Sequence, residues 1–257
     1  TDNITPPTSM SLIKSVKVPW YPVSVHAYDN NIYLGQYSTY NSCDLLRYYL
    51  DLSGGEVLVK GASCVTSIQA YNDELYVWFA QKDLINVYDM TGTLKRSWEH
   101  FCLGENFNKL RVVSNKVVVS SAHNQALTVY DLQGQLMKQI KCPGISNTGS
   151  YKAMAVCGDD SVIVSDYKTS SVFRVNIDSG EVMWTSKHVK QPQGVVCYKN
   201  RYVLVTSFNT DTRIWILDAD TGVLVKMILS SHVTSKIDKL NNKQTKCTQD
   251  ALHGQGC

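Results

Sequence analysis

Residues 218–225 read DADTGVLV: an acid, a short polar stretch, a glycine, then branched apolar residues. A carboxylate or amide at the start of such a stretch accepts backbone N–H bonds, and glycine takes the positive φ that closes the turn. The same signal occurs four more times, as DLSGGEVLV from Asp51, DMTGTLK from Asp89, DLQGQLM from Asp131 and NIDSGEVMW from Asn176. Aligned on Gly54, Gly92, Gly134, Gly180 and Gly222, the copies stand 38, 42, 46 and 42 residues apart. That period is the length of a propeller blade. Asp51, Asp89, Asp131, Asp218 and Asp220 are accordingly expected to build turns rather than to catalyse.

Each turn follows a run rich in branched and aromatic residues, such as LLRYYLDL, LINVYDM, ALTVYDL, SVFRVNI and RIWILDA. A second run precedes it across a polar loop (NIYLGQY, ELYVWFA, KVVVSSA, SVIVSDY, RYVLVTSF), and a third lies upstream, ending on hairpin residues. A more variable strand comes after the glycine. Four antiparallel strands per repeat make a blade, and radial packing of blades protects their edges. The expected fold is all-β, a β-propeller of four-stranded antiparallel blades with five recognisable repeats, closing either as five blades with a loose tail or with an incomplete sixth. The blades should span 11–60, 61–100, 101–142, 143–188 and 189–229. Residues 1–10 form an N-terminal extension and 230–257 a polar C-terminal tail or incomplete last blade. Lys236–Leu240 offers one further inner strand, and SLIKSVKV from Ser11 is a candidate closing strand.

With 257 residues, 44% of them hydrophobic and 18% charged, the chain can bury a substantial core and reads as one domain. A net charge of +3 selects neither nucleic acid nor an acidic membrane. No apolar run reaches transmembrane length, and no basic-then-apolar leader opens the chain, so no membrane partner is expected. The eight cysteines form no Cys-x-x-Cys pair, which argues against a zinc knuckle. Cys64, Cys157 and Cys197 lie in apolar strands and are read as reduced, buried thiols, consistent with a cytoplasmic protein. The sequon Asn3-Ile4-Thr5 is the single feature pointing to an extracellular setting.

The last repeat, PQGVVCYKNRYVLVTSFNTDTRIWILDADTG from Pro192, resembles the NHL-repeat pattern: a Pro-x-Gly opening, a strand, a polar loop with Asn before Arg-Ile, and an Asp-bearing turn. Pro192, Gly194, Asn209, Arg213, Ile214 and Asp218 carry the match, and Asp166 of VIVSDYKTSSVFRV fits the Asp that this family places at the end of its second strand. Two blades match well and three only in rhythm. Such propellers end tripartite-motif proteins, so the resemblance implies a C-terminal module that binds proteins or, in some members, RNA. Quinoprotein-type repeats share the turn, but Trp184 has no echo at its position in the other repeats. WD repeats fit worse, because no Gly-His opening and no Trp-Asp closing pair appears.

Enzymes on related propellers hold a metal in the central channel with several histidines or carboxylates. Here His26 alone falls inside an inner strand, where Ile68, Val112 or Val113, Ala155 and Val196 stand at the equivalent places. One histidine among aliphatic residues makes no ligand set, so His26 is read as a packing residue and no metal or cofactor is expected. Neither a nucleophile elbow nor a phosphate-binding glycine loop occurs. The expected function is a non-catalytic scaffold whose loops at one face bind a protein or peptide. Single-stranded RNA is the alternative, and a propeller hydrolase or lyase ranks below both.

Registering the second strands places Tyr37, Ala80, Ala122, Tyr167 and Phe208 at one level, followed by Ser38, Gln81, His123, Lys168 and Asn209. Aromatics beside amides and cations anchor peptides and stack bases alike. The candidate binding residues are Tyr37, Lys82, His123, Asp166, Tyr167, Lys168, Phe208, Asn209 and Arg213. The opposing expectation is that the rings cap the blade core. Asp44, Asp83, Asp166 and Asp211 interleave with Lys82, Lys168 and Arg213, a mixture that favours peptide over phosphate backbone. Oligomeric state is left open by the sequence.

Overall fold

The repeated turn closes a repeated sheet. The computed structural model describes residues 5–6, 14–18, 21–37, 43–62, 65–79, 83–100, 109–120, 125–146, 152–208 and 213–229. These contain twenty strands and no helix. Five four-stranded antiparallel sheets, each built from consecutive strands, make a five-bladed β-propeller. Blade 1 holds β1 (Tyr21–Tyr28), β2 (Asn31–Tyr37), β3 (Cys43–Tyr49) and β4 (Glu56–Ala62); blade 2 holds β5 (Val65–Tyr71), β6 (Glu74–Phe79), β7 (Leu84–Asp89) and β8 (Leu94–Glu99). Blade 3 comprises β9 (Lys109–Val113), β10 (Lys116–Ser120), β11 (Ala126–Asp131) and β12 (Leu136–Lys141). Blade 4 comprises β13 (Lys152–Val156), β14 (Ser161–Asp166), β15 (Ser171–Asn176) and β16 (Val182–Ser186). Blade 5 comprises β17 (Pro192–Tyr198), β18 (Tyr202–Ser207), β19 (Arg213–Asp218) and β20 (Leu224–Leu229).

The sheets start later than the repeat boundaries suggest: blade 1 begins at Tyr21, and Lys14–Val18 of the candidate closing strand carries no strand. Lys14 instead donates to the Asp51 carbonyl, tying that segment to the turn of blade 1. Lys236–Leu240 and the rest of the tail lie outside the described residues.

Tight hairpins join the first two strands of four blades, with positive φ at Asp29 and Asn30, Asn72 and Asp73, Ser114 and Asn115, and Lys199 and Asn200. Two successive left-handed residues are what a two-residue hairpin matching the strand twist requires. The later turns also behave as read. Asp218 Oδ1 accepts the backbone N–H groups of Asp220 and Thr221, Asp131 Oδ1 those of Gln133 and Gln135, and Asn176 Oδ1 those of Asp178 and Ser179.

The apolar core lies between blades. Trp78, Ile85 and Val87 of blade 2 pack with Leu110, Val117 and Val119 of blade 3, and Met154, Val164 and Phe173 of blade 4 pack with Val118, Leu127 and Ile140 of blade 3. Blades 1 to 4 each also reach for the next blade's turn. Arg47 donates to the Met90 carbonyl (2.9 Å), Arg96 to Leu132 (2.8 Å), Lys138 to Asp178 (2.7 Å) and Arg174 to Ala219 (2.8 Å). Every acceptor lies one or two residues after the turn-initiating Asp or Asn. Gly222 completes this contact: its φ is +70°, and a Cβ there would sit 2.6 Å from Trp184 of blade 4. Trp98 packs against Gly134 in the same way, so Trp184 does have a counterpart, although the two stand at different distances from their own turn glycines.

Inner strands of successive blades run side by side, β1 by β5, β5 by β9, β9 by β13 and β13 by β17; among the described residues no comparable contact joins β17 to β1. Side chains supply the hydrogen bonds between these neighbours. Gln69 donates to the Val112 carbonyl and accepts its N–H, and Ser67 does the same with Leu110. Cys157 and Cys197 are 40 residues apart, which is one blade, and their Cα atoms lie 5.4 Å apart, joined by a disulfide. The reading of these two as reduced thiols is corrected: equivalent positions on adjacent inner strands fall within disulfide reach.

Candidate functional site

Strand register determines which loops share a face. Pro192 at the start of β17 pairs with Ser207 at the end of β18, Lys152 pairs with Asp166, and Lys109 with Ser120. The starts of the inner strands and the loops leaving the second strands therefore meet at one end of the propeller. Tyr167 and Phe208, which follow directly after Asp166 and Ser207, occupy this face in neighbouring blades.

Their rings touch edge to face, with centroids 5.7 Å apart and an interplanar angle of 83°. Phe208 is 60% exposed and Tyr167 is partly buried. Phe208 therefore does not cap the core. The backbone beneath is stitched across the blade boundary by Gln191, whose N–H donates to Ser170 Oγ (3.1 Å) and whose carbonyl accepts the Phe208 N–H (3.1 Å). Ser207 Oγ donates to the Lys190 carbonyl (2.7 Å).

Asp166 is fully buried. Its carboxylate accepts the N–H groups of Ser146 (2.7 Å), Lys168 (3.0 Å) and Thr169 (3.1 Å), so it shapes the loop that carries Tyr167 and offers no surface to a ligand. Lys168 is exposed beside Tyr167. Arg213 opens β19 next to Ile214, which pairs with Thr206, and so stands at the same end of blade 5. Tyr37 ends β2 opposite Tyr21. Lys82, His123 and Asn209 lie outside the described residues. The structure thus gathers Tyr167, Lys168, Phe208 and Arg213 on two adjoining blades.

The same face contains a feature that the sequence reading passed over. A cavity of about 550 Å³ opens at the channel between the inner strands, and Lys109, Arg111 and Lys152 line it with no Asp or Glu among the described lining residues. Burial, aided by the charge of Arg111, lowers the pKa of Lys109 to about 8, and burial lowers Arg111 to about 10. Attention to the level of His26 hid these groups, because the cavity is lined by the first residues of the inner strands. The readable signal was the period-two pair Lys109 and Arg111 in KLRVV. His26 itself is held near pKa 4, by burial first and the Arg111 charge second, against a hydrogen bond with the Ala70 backbone that pulls the other way. It faces blade 2 as Gln69 faces blade 3, each standing opposite a tyrosine of its own hairpin, Tyr33 and Tyr76. This is a packing role. Among the described residues no three His, Cys, Asp or Glu side chains are grouped to hold a metal.

No family model and no curated protein matches the sequence. Solved structures do match the fold. A chain of a nidogen/laminin complex superposes with a TM-score of 0.66 at 11% identity, over 81% of this chain and 80% of that one. Virginiamycin B lyase from Staphylococcus aureus gives a TM-score of 0.64 at 13% identity, over 81% of this chain and 69% of its own. A catalytically inactive form of that lyase with quinupristin gives 0.64 at 13%, over 82% and 70%. At such identities the likeness establishes a β-propeller and nothing finer.

Proposed function

We propose that this chain is a non-catalytic interaction scaffold of the NHL type that binds a protein or peptide through the face carrying Tyr167 and Phe208. The observation that carries this reading is the exposed Phe208 ring set edge-on against Tyr167 across a blade boundary. An aromatic anchor ringed by polar groups is the composition of an interaction hot spot. Backbone bonds through Gln191 hold the pair in place, so little conformational entropy is lost when a partner binds. The presence of a like propeller in a nidogen/laminin complex supports a protein partner in general terms.

Single-stranded RNA is the second reading, favoured by Lys168 and by the channel cations Lys109 and Arg111 at the same end of the molecule. Capture of partners from cell extract, with and without ribonuclease, separates the two. A partner retained after ribonuclease and lost in Phe208→Ala supports the peptide reading. Loss of all capture on ribonuclease treatment refutes it in favour of RNA.

A further inference from the structure

Two cations at the channel mouth have no counter-charge among the described residues. Lys109 Nζ donates to the Thr66 carbonyl (2.6 Å), and Arg111 Nη1 to the Leu110 carbonyl (2.7 Å) and Ser67 Oγ (3.3 Å). All of these acceptors are neutral. Neither cation has a carboxylate partner among the described residues, whereas Arg47, Lys95, Arg96, Lys116 and Arg174 each pair with a carboxylate. The third cation of the wall, Lys152, donates to the Ser146 carbonyl (3.1 Å). Burying like charges without a counter-ion is costly, and proteins place such groups where a ligand supplies the opposite charge. Arg111 keeps Nε and Nη2 beyond its Nη1 bonds, a planar pair of donors that matches the two oxygens of a carboxylate.

The remaining wall narrows the class of anion. Val23, Val25 and Val195 line the same cavity, so part of the ligand surface must be apolar. A bare, fully hydrated phosphate leaves that wall unmatched, whereas an acid on a hydrocarbon stem satisfies both sides. We propose that the channel mouth is a receptor for a carboxylate carried on a short apolar stem, with Lys109 and Arg111 binding the carboxylate and Val23, Val25 and Val195 packing the stem. The carboxylate is that of a free small organic acid or of an acidic residue or C-terminus of a peptide. This inference stands independently of the Tyr167 and Phe208 surface.

The test is a titration of the whole chain with glutarate, inorganic phosphate, and an acetylated tripeptide ending in Leu-Glu, as free acid and as fully amidated control. Melting temperature and the Val25 methyl resonances are read at fixed ionic strength against sodium chloride. The expected result is a saturable Val25 shift and a rise in melting temperature with glutarate or the free-acid peptide beyond that of chloride. Binding should weaken about tenfold or more in Arg111→Gln and in Lys109→Gln, the scale of one charge-assisted hydrogen bond. Glutarate acting alone identifies a free acid as the source, and the free-acid peptide acting better identifies a peptide. Phosphate or a short RNA outcompeting glutarate at Val25 overturns the assignment. So do Val25 methyl resonances that no carboxylate moves in the wild-type chain, a readout that does not depend on how the variants fold.

Discussion

Phe208 meets Tyr167 edge-on across the boundary between blades 4 and 5, with ring centroids 5.7 Å apart. The pair is held from below by Gln191, which bonds to Ser170 on one side and to Phe208 on the other. Phe208→Ala removes a ring that is mostly in solvent, so unfolding free energy should change by less than about 1 kcal/mol, while partner affinity falls tenfold or more. A large loss of stability in urea would return Phe208 to the role of a core cap.

Gly222→Ala should destabilise the propeller by about 2 kcal/mol or more, because it places a side chain at φ +70° and against Trp184. The double change Gly222→Ala with Trp184→Ala should recover part of the steric component and none of the backbone component. Denaturant midpoints of the four proteins in this cycle give the answer.

Glu74 receives both guanidinium nitrogens of Arg96, at 2.9 and 2.6 Å, and that hydrogen bonding, set against a smaller desolvation effect, lowers its pKa to about 2. The folded-state pKa lies below the unfolded value, so the stabilisation is fully present above about pH 4.5 and is lost as pH falls towards 2. Glu74→Gln should flatten the acid limb of the stability profile and cost of the order of 2 kcal/mol at neutral pH, since Arg96 remains partly buried without its partner.

Lys109 shows linkage of the same sign, but from a charge that opposes folding. Its folded pKa of about 8 lies below the ordinary lysine value, so its charge opposes folding at neutral pH and that penalty fades as pH rises from 8 through 10.5. The described charged groups around it are Arg111 on its own strand and Lys152 on β13, with only Thr66 and Ser67 lining the cavity from β5. Lys109→Met is therefore expected to leave the melting temperature at pH 7 unchanged or raised. A clear drop would show that the ammonium is compensated.

The Cys157–Cys197 bridge closes a loop of about one blade. Chain-entropy arithmetic for that length gives roughly 3–4 kcal/mol of stabilisation. Reduction, or the pair of changes Cys157→Ser and Cys197→Ser, should lower the denaturant midpoint accordingly, and free-thiol titration before and after unfolding checks the bridge directly.

The sequence by itself determined the blade. Hairpin and turn chemistry is local: Asp218 bonds N–H groups two and three residues away, and Gly222 supplies the positive φ, so DADTGVLV announces its own conformation wherever it stands. Strand content and period are likewise encoded within some forty residues, and so were the level shared by Tyr167 and Phe208 and the packing role of His26. What the turns are for was decided by tertiary structure alone. The Ala219 carbonyl is the dock for Arg174 and for Trp184 Nε1 of the preceding blade, 45 and 35 residues away. No local pattern states which residue will arrive there. The same distance hid the Cys157–Cys197 bridge and the channel cations. Lys109 and Arg111 look like surface residues at the start of a strand, and only the ring of inner strands turns that position inward, removes water and leaves two positive charges facing a cavity without a described acid in its wall.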